Sequence, residues 1–368
     1  MRGFFSEKRF FVNITCIIPT LGGGGAERVM LQLCAGLVGR GHRITLLTLY
    51  DAPDFYTVPP GVERVQAHAD PQAQGLWARI KRVWLWRRAI KHTRPDVVIS
   101  FMALGVLAAA WLLRVPYIFA EHLDVSKVRL SRQWLKWRLF LLNRAARVVV
   151  LSERDKAYIE RHYPRWKTSV IYNPAFAPQQ RRLPRPPYFT APHTVLAVGR
   201  LTRQKGFERL LEAWQLIQPR FANWRLCIVG GGEEKENLTS LAETLDVQGS
   251  VSFVPPQKDL CAAYQYADLL VMSSRFEGFP LVLLEAMAAG VPAVSFVCNG
   301  PDVIIRDGTD GFLVPQGNTD LLAEKMAQLM QDEPLRQAFG TRAREVCGRF
   351  SPERFVQEYE QLCLAARK

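Results

Sequence analysis

Short apolar runs alternate with amphipathic segments along the whole chain. The runs are bounded by Gly, Pro or polar residues, as buried strands are, and the intervening segments repeat apolar residues every three or four positions, as helices do. The alternation predicts an α/β fold, in which helices cover a parallel, doubly wound sheet. Strands are predicted at 11–18, 42–50, 96–100, 117–120, 147–151 and 168–171 in the first half, and at 195–199, 225–229, 251–254, 267–272, 292–296 and 311–314 in the second.

A proline-rich stretch between Asn173 and Pro192 interrupts this alternation. Proline stiffens the backbone, so the stretch predicts a semi-rigid domain boundary. A chain of 368 residues is also longer than a single hydrophobic core usually supports. We therefore predict two Rossmann-like domains, residues 1–175 and 176–350, followed by a C-terminal helix within residues 351–368. Ligands of such sheets bind beyond the carboxyl ends of the strands, so functional groups are expected in the loops that follow strands.

Four consecutive glycines, Gly22, Gly23, Gly24 and Gly25, lie between the first predicted strand and the first predicted helix. Glycines before a helix let backbone N–H groups approach a phosphate closely. The loop is not a P-loop, because no Gly-Lys-Ser/Thr follows it. It is also a poor dinucleotide fingerprint, because Asp51 comes too late after the next strand. A tight turn that packs the strand on the helix is the structural alternative.

Two carboxylates flank a predicted helix start after the strand at 267–272. Glu277 precedes the breaker residues Gly278, Phe279 and Pro280, and Glu285 is the one carboxylate in the apolar segment that follows. The free N–H groups of a helix start favour an anion, whereas two carboxylates favour hydroxyl groups attached to it, as on a ribose and a hexose. In the alternative interpretation, Glu285 is a buried structural residue and Gly278–Pro280 form an ordinary turn.

Three other loops carry candidate groups. Arg200 and Lys205 flank the start of a helix after the strand at 195–199, where cations and backbone amides converge. His122 directly follows the strand at 117–120, and a structural and a catalytic role are both open from its position alone. Gly230 ends the strand at 225–229 and permits close passage of a ribose or phosphate.

The charge of the chain is distributed unevenly. The formal net charge is +14, and residues 1–176 hold 27 of the 48 Lys and Arg but only 12 of the 34 Asp and Glu. The whole excess therefore lies in the first half, which predicts an anionic partner there: a membrane surface, a phosphorylated substrate or a nucleic acid.

Two predicted helices in the first half combine tryptophans with cations, one at 75–92 and one within residues 127–144. Indoles and cations on one helix suit the interface of an anionic membrane. A surface helix packed on the sheet by its Trp77, Ile80, Trp84 and Ile90 stripe is the alternative. The predicted membrane contacts are Arg79, Lys81, Arg82, Trp84, Arg87, Arg88, Arg132, Lys136 and Arg138.

The seven cysteines are scattered and form no Cys-x-x-Cys pair. They predict reduced structural thiols in a cytoplasmic protein and no zinc site. The apolar runs are too short for a membrane-spanning helix.

Two motifs connect these residues to a known family. The segment from Glu277 to Met287 resembles the E-x7-E signature of retaining glycosyltransferases in family four, with Glu277 and Glu285 at its ends. The Gly-Arg-Leu-x-x-x-Lys-Gly segment from Gly199 to Gly206 is similar to the diphosphate-binding loop of that family. The resemblance covers nearly the whole chain and implies the GT-B fold, two Rossmann-like domains with a cleft between them.

The resemblance also implies roles for the candidate residues. Arg200 and Lys205 would neutralise the departing nucleotide diphosphate, Glu285 would orient the ribose, and Glu277 and His122 would contact the transferred sugar. Backbone groups at Val254, Gly230 and the Gly278–Pro280 turn would complete the donor site, and Gly22–Gly25 would take the acceptor. No metal or other cofactor is expected, and residues 351–368 would cross back to the first domain.

Relatives of this kind add sugars to lipid-diphosphate carriers, and N-acetylgalactosaminyl and hexosyl transferases are among them. The expected partners are a UDP-sugar, a polyprenyl-diphosphate-linked acceptor and the inner face of the cytoplasmic membrane. Many such relatives carry Asp-Cys-Pro before a Gly-Pro pair, where this chain has Val297-Cys298-Asn299-Gly300-Pro301. That departure leaves the sugar open. A nucleotide-sugar epimerase on the same scaffold and a nucleic-acid-binding module are the alternative functions.

Overall fold

The computed structural model describes residues 11–127, 131–177 and 181–367, and these residues divide into two compact units. The first unit contains the chain up to Asn173 and the segment from Pro352 onward, and the second unit is Pro174–Ser351. Each unit is built on its own parallel sheet.

The first unit contains a seven-stranded sheet in the order β3-β2-β1-β4-β5-β6-β7. Its strands are β1 (Asn13–Ile18), β2 (Arg43–Tyr50), β3 (Val62–Ala69), β4 (Val97–Phe101), β5 (Tyr117–Ala120), β6 (Arg147–Val150) and β7 (Thr168–Val170). The connecting helices are α1 (Gly25–Gly39), α2 (Leu76–Thr93), α3 (Leu107–Leu112), α4 (Arg132–Leu142) and α5 (Glu153–His162).

The second unit contains a six-stranded sheet in the order β10-β9-β8-β11-β12-β13. Its strands are β8 (His193–Val198), β9 (Trp224–Val229), β10 (Val251–Val254), β11 (Leu269–Met272), β12 (Ala293–Phe296) and β13 (Gly311–Val314). Its helices are α6 (Phe207–Ile217), α7 (Lys235–Thr244), α8 (Cys261–Tyr266), α9 (Leu281–Ala289), α10 (Pro301–Ile304), α11 (Thr319–Gln331), α12 (Glu333–Ala343) and α13 (Val346–Arg349).

The last helix, α14 (Pro352–Ala366), packs on α1 in the first unit. Gly36 is the contact point, because a side chain there would overlap Val356 of α14. Glu360 of α14 accepts hydrogen bonds from His42 at 2.7 Å and from Arg40 at 2.8 Å. Burial of Tyr359 against Phe101 and Phe355 adds the apolar part of the contact.

The two parallel, doubly wound sheets confirm the predicted fold class, although single elements were missed. Strand β3 was not predicted, because its side chains are mostly polar or half-exposed at the sheet edge and give no apolar run. Helices α7 and α8 were also missed. Both sheets reverse their strand order, between β1 and β4 in the first unit and between β8 and β11 in the second. Loops at such switch points are where open α/β sheets bind ligands.

Candidate functional site

The switch point of the second sheet brings two predicted loops together. Residues 199–206 follow β8 and residues 273–280 follow β11, and these strands are neighbours. Lys205 Nζ lies 2.7 Å from Glu277 Oε1, and the Ser274 hydroxyl donates to the same carboxylate oxygen at 2.5 Å. The side chains of Lys205 and Glu277 are only 15% and 8% exposed.

This pairing explains how a carboxylate is tolerated inside the loop. An ionised Glu277 with no partner would be costly to bury, whereas an ammonium and a hydroxyl satisfy one of its oxygens. A lysine ammonium has three N–H groups, so Lys205 can hold Glu277 and still donate to an anion. Ser274 was missed by sequence reasoning, although serine side chains in loops often form local hydrogen bonds.

Glycine at position 206 is what allows the two loops to approach. Gly206 has φ +63°, and a side chain there would overlap the carbonyl oxygen of Ser273. The same glycine precedes α6, which has no side-chain cap, so the free N–H groups of the first turn of α6 lie beside Lys205. The Ser273 hydroxyl donates to the Lys205 carbonyl oxygen at 3.0 Å and ties the loops further.

Arg200 lies in the same loop but is exposed. Among the residues that the structure describes, its guanidinium has no hydrogen-bond or ion-pair partner. The guanidinium N–H groups of Arg200 are therefore unpaired in the described structure. No hydrogen bond or ion pair connects its side chain to Lys205 or Glu277 there.

The turn after Glu277 presents backbone, not side chains. Phe279 is buried edge-to-face against Phe350, with ring centroids 5.2 Å apart. Helix α9 begins at Leu281, so Pro280 directly precedes the helix. Gly300 supports the turn from behind: its φ is +97°, and a Cβ there would lie 2.7 Å from the carbonyl oxygen of Gly278.

Glu285 lies on the second turn of α9 and is half-buried. The hydroxyl of Tyr264, on α8, donates to Glu285 Oε2 at 3.0 Å. Tyr264 is a further residue that sequence reasoning missed, because the short helix α8 gives no periodic signal.

Gly230 and Val254 are held to each other by the backbone. The Gly230 N–H donates to the Val254 carbonyl at 2.9 Å, and a side chain at Gly230 would overlap the Gly199 carbonyl oxygen. Glycine is therefore required at position 230, because the backbone that follows β9 passes close to the backbone that follows β8. Val254 is buried, so it offers backbone groups alone.

The glycine loop of the first unit follows β1 and leads into α1, which begins at Gly25. Gly23 has φ +97° and lies against the Phe55 ring. The Glu27 carboxylate folds back over Gly24, where any side chain would overlap it. A carboxylate at a helix start offsets the positive end of the helix dipole, so this end favours hydroxyl groups over a second anion.

His122 follows β5 and packs on Phe101, with ring centroids 4.3 Å apart. Burial lowers the pKa of the His122 imidazole to about 3, so the ring is neutral at physiological pH. Its buried Nε2 atom has no hydrogen-bond partner within the described ranges. A neutral imidazole with an open nitrogen can donate to or accept from a hydroxyl group.

Arg138 corrects one of the predicted membrane contacts. Its side chain is 7% exposed, and its guanidinium lies over Trp166 and pairs at 3.0 Å with Glu121, whose side chain is 6% exposed. The prediction for Arg138 was wrong, because its position among tryptophans and cations gave no sign that it lies on the inner face of α4. Desolvation raises the pKa of the Glu121 carboxyl, and Arg138 opposes that shift.

The other predicted membrane contacts lie at the surface. Arg79, Lys81, Arg87, Arg88, Arg132 and Lys136 are exposed, Arg82 is partly exposed and Trp84 is 55% exposed. The alternative, packing on the sheet through the Trp77, Ile80, Trp84 and Ile90 stripe, is wrong for the first three residues. Trp86, Ala89 and Ile90 form the buried face of α2.

Helix α3 also carries exposed apolar residues, as α2 and α4 do. We call the exposed apolar residues of the three helices the indole surface; its members are Trp77, Ile80 and Trp84 of α2, Trp111 and Leu112 of α3, and Trp134 and Trp137 of α4. Trp77 is 82% exposed, and the Arg79 guanidinium lies 5.9 Å from the Trp134 ring and so links α2 to α4. Neither α2 nor α4 contains Asp or Glu.

Three further observations concern metal ligands, membrane-spanning helices and the cysteines. In the part of the chain that the structure describes, no group of three or more His, Cys, Asp and Glu side chains is placed to hold a metal ion. In the same part, no helix combines the length and the apolar character needed to cross a bilayer. The seven cysteines are free thiols.

Comparison with solved structures defines the class. The structure of Anabaena HepE in complex with UDP and glucose superimposes with a TM-score of 0.80 over 95% of this chain and 98% of the other, at 21% identity. The fold is therefore that of the GT-B glycosyltransferases.

Sequence comparisons define the family. Residues 183–346 match the family described as "Glycosyl transferases group 1", and residues 23–176 match "Glycosyltransferase Family 4". The amylovoran biosynthesis glycosyltransferase AmsD of Erwinia amylovora is 31% identical over 92% of this chain and 95% of its own length. A Campylobacter jejuni α-1,4-N-acetyl-D-galactosaminyltransferase, which acts on an undecaprenol-diphosphate-linked glycan, is 27% identical over 95% of this chain and 98% of its own length.

The chain belongs to this family of group 1, family 4 glycosyltransferases, and it is a glycosyltransferase.

Proposed function

We propose that this glycosyltransferase moves a sugar from a nucleotide diphosphate donor, a UDP-N-acetylhexosamine or UDP-hexose, to a polyprenyl-diphosphate-linked glycan. We further propose that the configuration of the sugar is retained. The observation that carries the proposal is the pairing of Lys205 with Glu277 beside the start of α6, at the switch point of the second sheet. A cation, free amides and a carboxylate together suit a phosphate that bears a polyhydroxylated sugar.

The residues have distinct proposed roles in donor binding. Lys205, Arg200 and the amides of the Gly278–Pro280 turn stabilise the negative charge that grows on the departing diphosphate. Such preorganised charge stabilisation is usually the largest single contribution to catalysis. Glu277 accepts hydrogen bonds from hydroxyls of the transferred sugar. Glu285 accepts hydrogen bonds from the ribose and also accepts one from the Tyr264 hydroxyl at Oε2.

The proposed reaction breaks the bond between the anomeric carbon and the β-phosphate oxygen and forms a bond from the acceptor hydroxyl oxygen on the same face. The acceptor proton passes to the departing phosphate oxygen, so no protein base is required. His122 contributes a neutral hydrogen bond to a sugar hydroxyl, because its pKa keeps it uncharged. The positive charge at the leaving group comes from side chains and amides, so the proposal includes no metal ion.

The acceptor and its location are proposed from the first unit. Gly22–Gly25 would bind the acceptor, and the Glu27 carboxylate at this loop favours a glycan hydroxyl. The indole surface and its cations would hold the enzyme on the inner face of the cytoplasmic membrane, where a polyprenyl-linked substrate resides. The Campylobacter relative, whose name specifies an undecaprenol-diphosphate glycan, supports this acceptor class.

The test is a transfer assay with a panel of UDP-sugars and polyprenyl-diphosphate-linked glycans, with the anomeric configuration of the product read by NMR. We expect transfer with retention. Arg200→Ala should lower kcat by about 100-fold, because it removes charge stabilisation at the leaving group. Arg220→Ala, which removes an exposed cation elsewhere in the second unit, is the matched control and should leave kcat unchanged.

Three results would contradict the proposal. An inverted product would exclude the same-face reaction. Full activity of a folded Arg200→Ala protein would exclude the role of Arg200. Conversion of the donor without any acceptor, with the nucleotide still attached, would favour an epimerase.

A further inference from the structure

Arg275 lies in the 273–280 loop, two residues before Glu277, and belongs to none of the motifs described above. Its guanidinium donates to the Arg203 carbonyl oxygen at 2.5 Å and to Glu208 Oε1 at 2.5 Å. Its backbone N–H donates to the Gln204 carbonyl oxygen at 2.8 Å. One residue of the 273–280 loop therefore contacts the chain on both sides of Lys205.

Two glutamines reinforce this connection. The Gln204 side-chain amide donates to the Phe276 carbonyl oxygen at 3.0 Å, so the 199–206 loop also reaches back toward Glu277. Gln316, which follows β13, donates to the carbonyl oxygens of Ser274 and Arg275 at 3.1 Å each. The backbone from Ser274 to Phe276 is thus held from two directions.

The chemistry of the bridge requires an arginine. A guanidinium has several N–H groups in a rigid plane, so it can donate to the Arg203 carbonyl and the Glu208 carboxylate at the same time. A lysine ammonium would keep the charge but sits on a flexible stem and reaches such separated acceptors poorly. The Arg275 side chain is 27% exposed, so most of it is covered by the residues that it links.

We propose that Arg275 is a positioning residue that fixes the 199–206 loop against the 273–280 loop and thereby sets the position of Lys205 relative to Glu277. The inference rests on the proposed function, since it assigns Arg275 to the same donor site. Lys205 reaches its partner through a long flexible stem, so the place of its ammonium depends on where its backbone is held. Arg275 itself contacts protein groups and no reacting atom.

The test is a double-mutant cycle on UDP affinity, measured by calorimetry on the full chain. Arg275→Ala should weaken UDP binding about tenfold, and Arg275→Lys should recover only a small part of that loss. Lys205→Met should also weaken UDP binding. If Arg275 acts through Lys205, adding Arg275→Ala to Lys205→Met should cost less than twofold more.

Arg203→Ala is the matched control. It removes an exposed cation from the same loop but keeps the backbone carbonyl that accepts from Arg275, so UDP affinity should change less than twofold. Thermal unfolding without UDP checks that each variant is folded.

The possible outcomes separate the inference from the proposed function. Unchanged affinity in Arg275→Ala, full recovery in Arg275→Lys, or losses that add in the double variant would each overturn the positioning role. An equal loss in Arg203→Ala would assign the effect to charge alone. Failure of the wild-type protein to bind UDP or GDP would instead overturn the proposed function.

Discussion

At the scale of single residues, the proposed donor site is built on charges that are largely shielded from water. Lys205 and Glu277 are mostly buried, and their 2.7 Å contact offsets part of the loss of hydration of each group. The value of such a pair for binding lies in its fixed geometry, because a preformed cation does not have to reorganise when a diphosphate arrives. Arg200, which is exposed, lacks this constraint, so in the proposed complex the diphosphate would have to order it.

His122 gives a prediction for pH dependence. Burial lowers the pKa of its imidazole to about 3, whereas the ordinary value is 6.5. Between these values the unfolded chain binds a proton that the folded protein does not, so the free energy of unfolding falls as the pH drops below 6.5 and is unaffected above it. His122→Asn should therefore flatten the decline of Tm between pH 6.5 and pH 4 by roughly a few degrees.

His162→Asn is the control for this experiment, because the His162 ring lies at the surface beside Tyr158. Its Tm should follow the wild-type curve. A His122→Asn protein whose Tm declines as steeply as that of the wild type would show that His122 does not remain neutral in the folded state.

The sequence predicted which residues lie in the loops after strands better than it predicted which residues they contact. The sequence placed Lys205 and Glu277 in loops after strands, and the sheet order then made these loops neighbours. It did not pair Glu277 with Lys205 and Ser274, or Glu121 with Arg138. Such pairs depend on which side of a loop or helix each side chain occupies, and for Arg138 the surrounding cations suggested the outer face of α4.

At the scale of elements, the membrane contact that we propose for the indole surface would combine two kinds of attraction. Exposed cations on α2 and α4 would be drawn to anionic lipid by about 1 kcal/mol each, an attraction that salt screens. Exposed indoles would partition into the headgroup region, an attraction that salt does not screen. The two contributions can therefore be separated by measuring lipid binding at different salt concentrations.

We expect the protein to sediment with vesicles of phosphatidylglycerol and phosphatidylcholine and to bind pure phosphatidylcholine less. Replacing Arg79, Lys81, Arg82, Arg87 and Arg88 by Gln should lower low-salt binding by at least about tenfold. Replacing Trp77 and Trp137 by Ser should instead lower the binding that remains at high salt.

Arg220→Gln and Arg225→Gln, in the second unit, form the control variant and should bind vesicles as the wild type does. Binding that ignores both salt and the five replaced cations would contradict a membrane role for these residues. Preferential, salt-dependent binding to RNA would point to nucleic acid as the anionic partner.

The same helices show why a pattern of apolar residues does not by itself identify the buried face of a helix. The stripe of Trp77, Ile80 and Trp84 resembles a buried face in the sequence, yet α2 buries Trp86, Ala89 and Ile90. A helix with indoles on several sides offers more than one face for packing, so the sheet contact alone decides which is buried. Strand β3 was missed for the opposite reason, since an edge strand needs few apolar residues.

At the scale of the whole molecule, the two units differ in charge as well as in position along the chain. Residues 1–176 carry the entire cationic excess, and they include the indole surface, whereas the Lys205–Glu277 pair belongs to a second unit of nearly balanced charge. The fold class followed from the sequence because a repeated strand–helix alternation has few parallel solutions. The identity of the sugar and the acceptor does not follow, since single side chains in loops determine them.

We propose that Lys205, Arg200 and the helix amides of the second unit bind a nucleotide diphosphate. This claim is tested by calorimetric titration of the wild-type protein and of an Arg200→Ala, Lys205→Met double variant with UDP and GDP. We expect the wild type to bind UDP and the double variant to bind it at least about 100-fold more weakly. Absence of binding to either nucleotide, or equal affinity in the folded double variant, would contradict the claim.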